Sequence, residues 1–443
     1  MKKNNKRTLT AWAMYDWANS VYPLVISSAI FPVYYIAVTT KKNSLGIIND
    51  TVELFGMSFK NTVIVNYTLA LSFLIICITS PLLSGIADSR GNKKKFMRFF
   101  CYMGAAGCAG LFFLTKEPDT LPYGILAIFV ASLGFWSSLV FYNSFLPELA
   151  TPEQMDRASA KGFSYGYLGC SLMLIICLIF IKSIAPALGF DVGFATRLCF
   201  IGVAIWWIGF AQLFFFRIKE EPKINTGESV LKGFLALRKV WEEIKQHKSI
   251  KIFLTSFWFY SMGVQTVMLI AAYFGAKLLN IPAEKLLPII LIIQFVGIAG
   301  SLFFSWVSKK LGNKTSLSIT LATWILVCIG AWFDAEYKSV MGFNVLAFFV
   351  GGVMGGVQSL SRSTYSKLIP NTTNDTASFF SFFDITEKFS MVIGLSIFAY
   401  IEQHSPEKGM QNSVLALLVF FAIGLILLTR LKDDRLNPTS EPG

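Results

Sequence analysis

The sequence predicts an all-α membrane protein with twelve transmembrane helices in two pseudo-symmetric six-helix bundles. Three observations carry that prediction: an apolar composition, a one-sided distribution of basic residues, and an echo between the two halves. Of the 443 residues, 54% are hydrophobic and only 15% charged, with a mean hydropathy of +0.58. Soluble domains carry about 25% charged residues, and a single soluble core stops growing at roughly 250–300 residues. This composition excludes a soluble enzyme, a secreted disulfide scaffold and a disordered chain.

A spanning helix needs about 20 mostly apolar residues. Twelve runs qualify: 11–39, 62–87, 96–115, 121–148, 159–185, 193–217, 250–279, 285–308, 315–334, 339–366, 377–402 and 410–430. The first follows Lys2, Lys3, Lys6 and Arg7 as a signal peptide would. It is too long for one, contains Asp16 and lacks a small-residue cleavage site. With an even number of spans both termini lie on one side. Counting basic residues near each span end with the adjoining connection, that side holds 28 Lys and Arg, against 10 on the other. Loops rich in Lys and Arg stay in the cytoplasm, so both termini are expected there, in a multi-pass protein of the cell (inner) membrane. The net charge of +13 thus reports orientation in the bilayer. Nucleic acid is not an expected partner, because the charge is spread over seven short segments.

The longest polar interruption, 218–249, divides the chain into bundles at 1–217 and 250–443. Gly91-Asn92-Lys93 follows the second span, and Gly312-Asn313-Lys314 follows the eighth, 221 residues later. Tyr142 precedes Pro147 as Tyr365 precedes Pro370, 223 residues later. Two matches at nearly one offset indicate duplication, and six-plus-six repeats are the architecture of major facilitator transporters. Within the interruption, Val230, Phe234, Leu237, Trp241 and Ile244 recur at helical spacing among Lys and Arg. They predict an amphipathic helix on the cytoplasmic membrane surface, tethering the bundles. The seven cysteines fall in apolar runs without metal or redox spacing, and His247 and His404 lie in polar connections. No metal site and no cofactor is expected.

Residues 84–94 read Ser-Gly-Ile-Ala-Asp-Ser-Arg-Gly-Asn-Lys-Lys. They resemble the loop motif of the major facilitator superfamily, with Asp88, Gly91, Lys93 and Lys94 in register. Gly91 permits a turn with positive φ, and a carboxylate at Asp88 can sit against a neighbouring helix N-terminus and favour one packing of the halves. In the second half Lys309 takes the position of Asp88, so that copy has lost its acid.

An ionisable residue at a bilayer centre costs about 2.5–3.5 kcal/mol on insertion scales, so it faces a cavity or a partner. The first span carries Asp16 and Asn19 on one face with Pro23 and Ser20, and Pro23 and Pro32 are expected to kink it. The eleventh carries Asp384, Glu387 and Lys388. Asp384 and Lys388 are four apart and can pair, leaving Glu387 in need of a proton or another partner. A proton-coupling site and a static ion-pair network are both compatible with this triplet. Asp16, without a basic partner in its own helix, is the stronger coupling candidate. Tyr142 and Asn143 in the fourth span, Tyr165 in the fifth, Gln265 in the seventh and Gln358 and Arg362 in the tenth complete the polar candidates. Two Gly pairs, Gly351-Gly352 and Gly355-Gly356, allow close helix contact.

Several strings together resemble one family: Tyr15-Asp16-Trp17-Ala18-Asn19-Ser20, Tyr142-Asn143-Ser144-Phe145-Leu146-Pro147, residues 162–169 (Gly-Phe-Ser-Tyr-Gly-Tyr-Leu-Gly), Ser361-Arg362-Ser363 with Pro370, and Lys388. The resemblance is to the bacterial branch of the fungal vacuolar amino-acid effluxers linked to autophagy, within the major facilitator superfamily. It implies a secondary active transporter of a small polar solute, chiefly a neutral amino acid, working as a monomer by alternating access; the buried carboxylates add protons as the expected coupling partner. A zwitterion needs one anionic and one cationic contact, which Asp16 with Arg362 or Lys388 would supply. An exporter of amphiphilic compounds and a non-transporting receptor or scaffold are the alternatives. An enzyme is not expected, because the spans hold no nucleophile–base pair, no His and no nucleotide-binding signature.

Overall fold

The computed structural model describes residues 3–42, 48–49, 51–54, 56–220, 230–277, 283–370, 373–405, 409–432 and 436–437. The first crossing, α1 (Lys6–Thr39), starts at Asn5, whose side chain accepts from the N–H of Arg7 and Thr8. Pro23 and Pro32 each remove a backbone donor. The expected kink takes the form of wide π-helical turns over Tyr22–Ile30, with Ser28 Oγ donating to the Pro23 carbonyl at 2.8 Å. Two short hairpins, β1 (Lys41–Lys42) with β2 (Ile48–Asn49) and β3 (Thr51–Leu54) with β4 (Met57–Lys60), follow α1. The helical spacing of the sequence does not announce them.

The rest of the first bundle comprises α2 (Asn61–Arg90), α3 (Lys93–Gly110), α4 (Leu121–Ser144), α5 (Pro152–Ile179) and α6 (Val192–Arg217). The connecting helix is α7 (Val230–Gln246), and α8 is Lys248–Lys277. A continuous helical stretch, Ala283–Tyr337, breaks at Gly312, where φ is 79° and ψ 160°. Its arms, 283–311 and 313–337, are α9 and α10. Then come α11 (Val340–Leu368), α12 (Thr376–His404) and α13 (Gly409–Thr429). Among the described residues ten helices are long and apolar enough to cross a membrane. One of them folds back at Gly312 into two crossings. The remaining crossing, α12, misses that standard because Asp384, Glu387 and Lys388 interrupt it.

Two apolar cores follow the two halves. One gathers buried residues from Trp12 to Ile218, the other from Val240 to Leu436. Few cross over: Ala377 joins the first, and Val140 and Tyr167 join the second. Polar contacts therefore carry much of the junction between the bundles. Ser159 Oγ donates to the Ser359 carbonyl at 2.8 Å, Ser164 Oγ lies 2.8 Å from Ser301 Oγ, and Tyr167 OH donates to Gln358 Oε1 at 2.5 Å.

The connecting helix packs against α2 and α12. Val240 and Ile244 are buried, Trp241 stacks on Phe382 with ring centroids 5.6 Å apart, and Lys239 Nζ lies 3.2 Å from Asp375. The side chains of Val230, Phe234 and Leu237 lie outside those described. All seven cysteines are free, and six are buried as small packing residues.

Candidate transport site and its latches

Two charged clusters lie within the spanning region. The first joins α1, α4, α5 and α11. Asp16 Oδ2 accepts from Arg362 Nη1 at 3.0 Å and from Tyr142 OH at 2.8 Å. The basic partner absent from its own helix thus comes from the opposite bundle. Arg362 is held from three more directions: Nε donates to Ser159 Oγ and Nη2 to the Ser159 carbonyl, both at 2.9 Å, and Nη1 to Asn143 Oδ1 at 3.4 Å. Its guanidinium lies 4.8 Å from the ring centre of Trp12 and 4.2 Å from that of Phe163. Trp12 stacks on Tyr142 at 4.7 Å and donates its indole N–H to the Tyr142 carbonyl at 3.1 Å. The helices come this close because position 162 has no side chain. A Cβ on Gly162 would collide with Asp16 Oδ2 and lie 2.8 Å from Arg362 Nη2. Arg362 is six residues from the end of α11 at Leu368, about 9 Å at 1.5 Å per residue. The pair therefore sits in the half of the bilayer nearer the terminal, basic side.

The second cluster is deeper, twelve residues into α12, or about 18 Å. Lys388 is fully buried. Its Nζ lies 2.9 Å from Asp384 Oδ1 and 3.3 Å from Glu387 Oε2, and 3.7 Å from the ring centre of Trp136 on α4. Gln265 Nε2, from α8, donates to Glu387 Oε1 at 2.8 Å. The expected pairing of Asp384 with Lys388 is present. Glu387, expected to need a proton or another partner, has two partners, Gln265 and Lys388, and the oxygen left without one is the buried Asp384 Oδ2. The i,i+4 rule considers only one helix, so it misses donors arriving from α8.

Not every predicted residue joins a cluster. Gln358 pairs with Tyr167 and approaches Met268 Sδ at 3.2 Å. The Tyr165 ring lies under Lys161 Nζ at 5.4 Å. Asn19 is buried with its amide nitrogen unpartnered. Conversely, Ser159 and Phe163 are not among the polar candidates, because their residue types carry no signal of an arginine, although Phe163 lies within the family-like string 162–169.

On the basic side two latches close the junction. In the first, Gly91 adopts φ 62° and turns the chain between α2 and α3. Asp88 accepts from the N–H of Ala377 at 3.2 Å and of Ser378 at 2.7 Å, and from Ser378 Oγ at 2.8 Å. These are first-turn donors of α12, the positive end of its dipole. Lys93 Nζ lies 3.6 Å from Asp88, pairs closely with Glu148 and donates to Thr376 Oγ1 at 2.8 Å. Glu220 accepts from the N–H of Lys93 at 2.7 Å and of Lys94 at 3.0 Å, and Lys94 Nζ donates to the Ile218 carbonyl at 2.8 Å. Burial pushes the Glu220 carboxyl above its ordinary range, against the opposing pull of those donors and of Lys93.

The second latch was expected to lack an acid, because Lys309 stands where Asp88 does. It has one from the other side. Asp156, in the second turn of α5, accepts from Asn313 Nδ2 at 2.7 Å, Ser308 Oγ at 2.9 Å and Lys367 Nζ at 2.7 Å. Lys367 Nζ also donates to Asn313 Oδ1 at 2.7 Å. Asp156 and Lys367 are both buried. In the sequence they read as ordinary charges at helix ends.

A duplicated bundle of twelve crossings, with ionic clusters between its halves, is the fold of major facilitator transporters. Solved structures agree. The proton:xylose symporter XylE superimposes with a TM-score of 0.68 at 12% identity, covering 96% of this chain and 94% of its own. FucP, in its outward conformation, gives 0.66 at 12% identity, covering 96% and 98%. The family profile described as "Vacuole effluxer Atg22 like" matches residues 4–438, and the chain belongs to that family. An uncharacterized MFS-type transporter of Bacillus subtilis, YxiO, is 30% identical over all of this chain and 98% of its own. Autophagy-related protein 22-1 of Penicillium rubens is 22% identical over 96% and 90%. The chain is a multi-pass membrane transporter and not an enzyme.

Proposed function

We infer that the protein moves an amino acid across the cell (inner) membrane by alternating access, coupled to protons and as a monomer. Residues 1–217 and 250–443 are the two moving bodies, 218–249 is their tether, and the basic side with both termini faces the cytoplasm. The observation that carries this reading is the pair of buried ionic clusters: Asp16 with Arg362, which joins the bundles, and Asp384 with Glu387 and Lys388 on α12, which meets the first bundle through Trp136. A zwitterion needs an anionic and a cationic contact, and both clusters offer the two. Charges so buried cost several kcal/mol each unless paired, which supports a working role for them. The resemblance to vacuolar amino-acid effluxers supports the substrate class. Asp88 and Asp156 hold the basic side shut.

The test is uptake of radiolabelled neutral amino acids into proteoliposomes, with and without a pH gradient, for wild type and Asp16→Asn. Gradient-stimulated uptake that the variant loses is the expected result. Silence across a full amino-acid panel overturns the substrate class. Uptake indifferent to the gradient overturns proton coupling, and equal uptake by both proteins removes Asp16 from the mechanism.

A further inference from the structure

The Lys388 ammonium sits in a cage made largely by other residues. Trp136 presents its ring face at 3.7 Å from Nζ, the arrangement by which aromatic faces hold cations. The ring is braced edge-on by Phe73 at 5.9 Å and by Phe135 at 4.9 Å. Asp384 Oδ1 and Glu387 Oε2 supply two carboxylate contacts, and Gln265 fixes Glu387. Two carboxylates thus face one ammonium. Asp384 Oδ2 is buried and accepts no hydrogen bond, so the cage has acceptor capacity left over. A buried acceptor without a donor is costly. The cage has charge and geometry for a further ammonium, or for a different one.

We propose that this cage is an ammonium-binding site that Lys388 fills as a tethered occupant, and that the transported ligand displaces it. The proposal rests on the amino-acid reading above and deepens it. A ligand carboxylate draws Lys388 out of the cage. The α-ammonium of the same ligand then takes the place over Trp136 and donates to the free Asp384 oxygen. Before and after the exchange the cage holds one ammonium against two carboxylates, so its net charge is the same in both end states. A solute bearing only a carboxylate would leave the cage without its cation, and one bearing only an ammonium would have to expel Lys388 with nothing to receive it. Both are disfavoured relative to a zwitterion.

The cage can be tested without transport. Purified full-length Lys388→Ala is titrated with n-butylammonium, a primary ammonium on an apolar stem, and its melting temperature is followed. A saturable rise that wild type does not show, and that Asp384→Asn/Lys388→Ala loses, is expected. If Lys388→Ala does not yield folded protein, Glu387→Gln/Lys388→Ala removes one uncompensated charge and is judged by the same criterion, with Asp384→Asn added as its control. No rise in the folded variant, or an equal rise in wild type, overturns the proposal. The two readings fail separately. If the variant binds butylammonium while wild type carries no amino acid, the cage stands and the substrate class falls.

Discussion

The two latches on the basic side occupy equivalent places in the duplicated fold and are built in opposite senses. In the first, the acid belongs to the turn: Asp88 reaches across to the N-terminus of α12 and takes backbone N–H groups. In the second, the turn offers Asn313 and Ser308, and the acid, Asp156, belongs to the facing helix α5. Each buries its carboxylate beside a lysine, Lys93 or Lys367. The comparison teaches that duplication kept the contact and did not keep which partner carries the charge. Loss of the acid at Lys309 is therefore not loss of the latch.

Breaking the second latch is expected to have the largest effect. Asp156→Ala strands a buried Lys367, and removing one partner of a buried pair costs about 3–5 kcal/mol. Unfolding in a detergent titration should show that loss, and Asp156→Ala/Lys367→Met should recover much of it. A cost no greater than for a surface substitution would mean the second latch carries no load.

Next comes Asp88→Asn, which keeps shape and loses the charge at the α12 N-terminus. Charge–dipole contacts in partly buried sites reach about 2 kcal/mol, so the closed state should weaken roughly 5–30-fold. Spin labels on Lys95→Cys and Lys310→Cys, both exposed positions, would report a wider population on the basic side. An unchanged distance distribution would place the closing energy in the second latch alone.

A smaller effect distinguishes the latches by pH. Glu220 braces the first latch through the N–H groups of Lys93 and Lys94. Its raised folded value means that the folded chain binds this proton more tightly than the unfolded chain. The resulting penalty grows as pH rises above the unfolded value, is complete above the folded one, and vanishes on acidification. Glu220→Gln should therefore compare more favourably with wild type in melting temperature at pH 8 than at pH 5. The opposite trend would show that the carboxylate's bonds to the backbone outweigh its burial.

The smallest effect is expected at Lys239. Its ion pair and hydrogen bond with Asp375 raise its pKa, yet the side chain is largely exposed. Lys239→Ala should cost under about 1 kcal/mol. A cost as large as that of Asp156→Ala would make the connecting helix a third latch.

The twelve crossings, their duplication and the charged triplet of α12 were legible because hydropathy and helical spacing are local properties. Asp16 could be matched with Arg362 or Lys388 by charge alone, but its direct ion pair with Arg362 was not legible, since the two are 346 positions apart and only folding brings them together. Asp156 and Lys367 were illegible for another reason: charges near helix ends at a membrane surface are common, and burial alone sets these two apart. The hairpins after α1 were missed because strands of two to four residues leave no periodicity to read. Trp136 could be seen as an aromatic in a span, and its lysine could not.

The first latch recognises a main chain. The N–H groups that Asp88 holds at positions 377 and 378 would be offered by any residue there except proline. At the α12 end only the Ser378 and Thr376 hydroxyls add side-chain information, through Asp88 and Lys93, while the Asp88 end is spelled out in the turn. Asp156, by contrast, meets three side chains, and each must keep its identity. One half of the molecule closes chiefly on the backbone that a helix N-terminus presents, with two hydroxyls beside it, and the other closes on a written address.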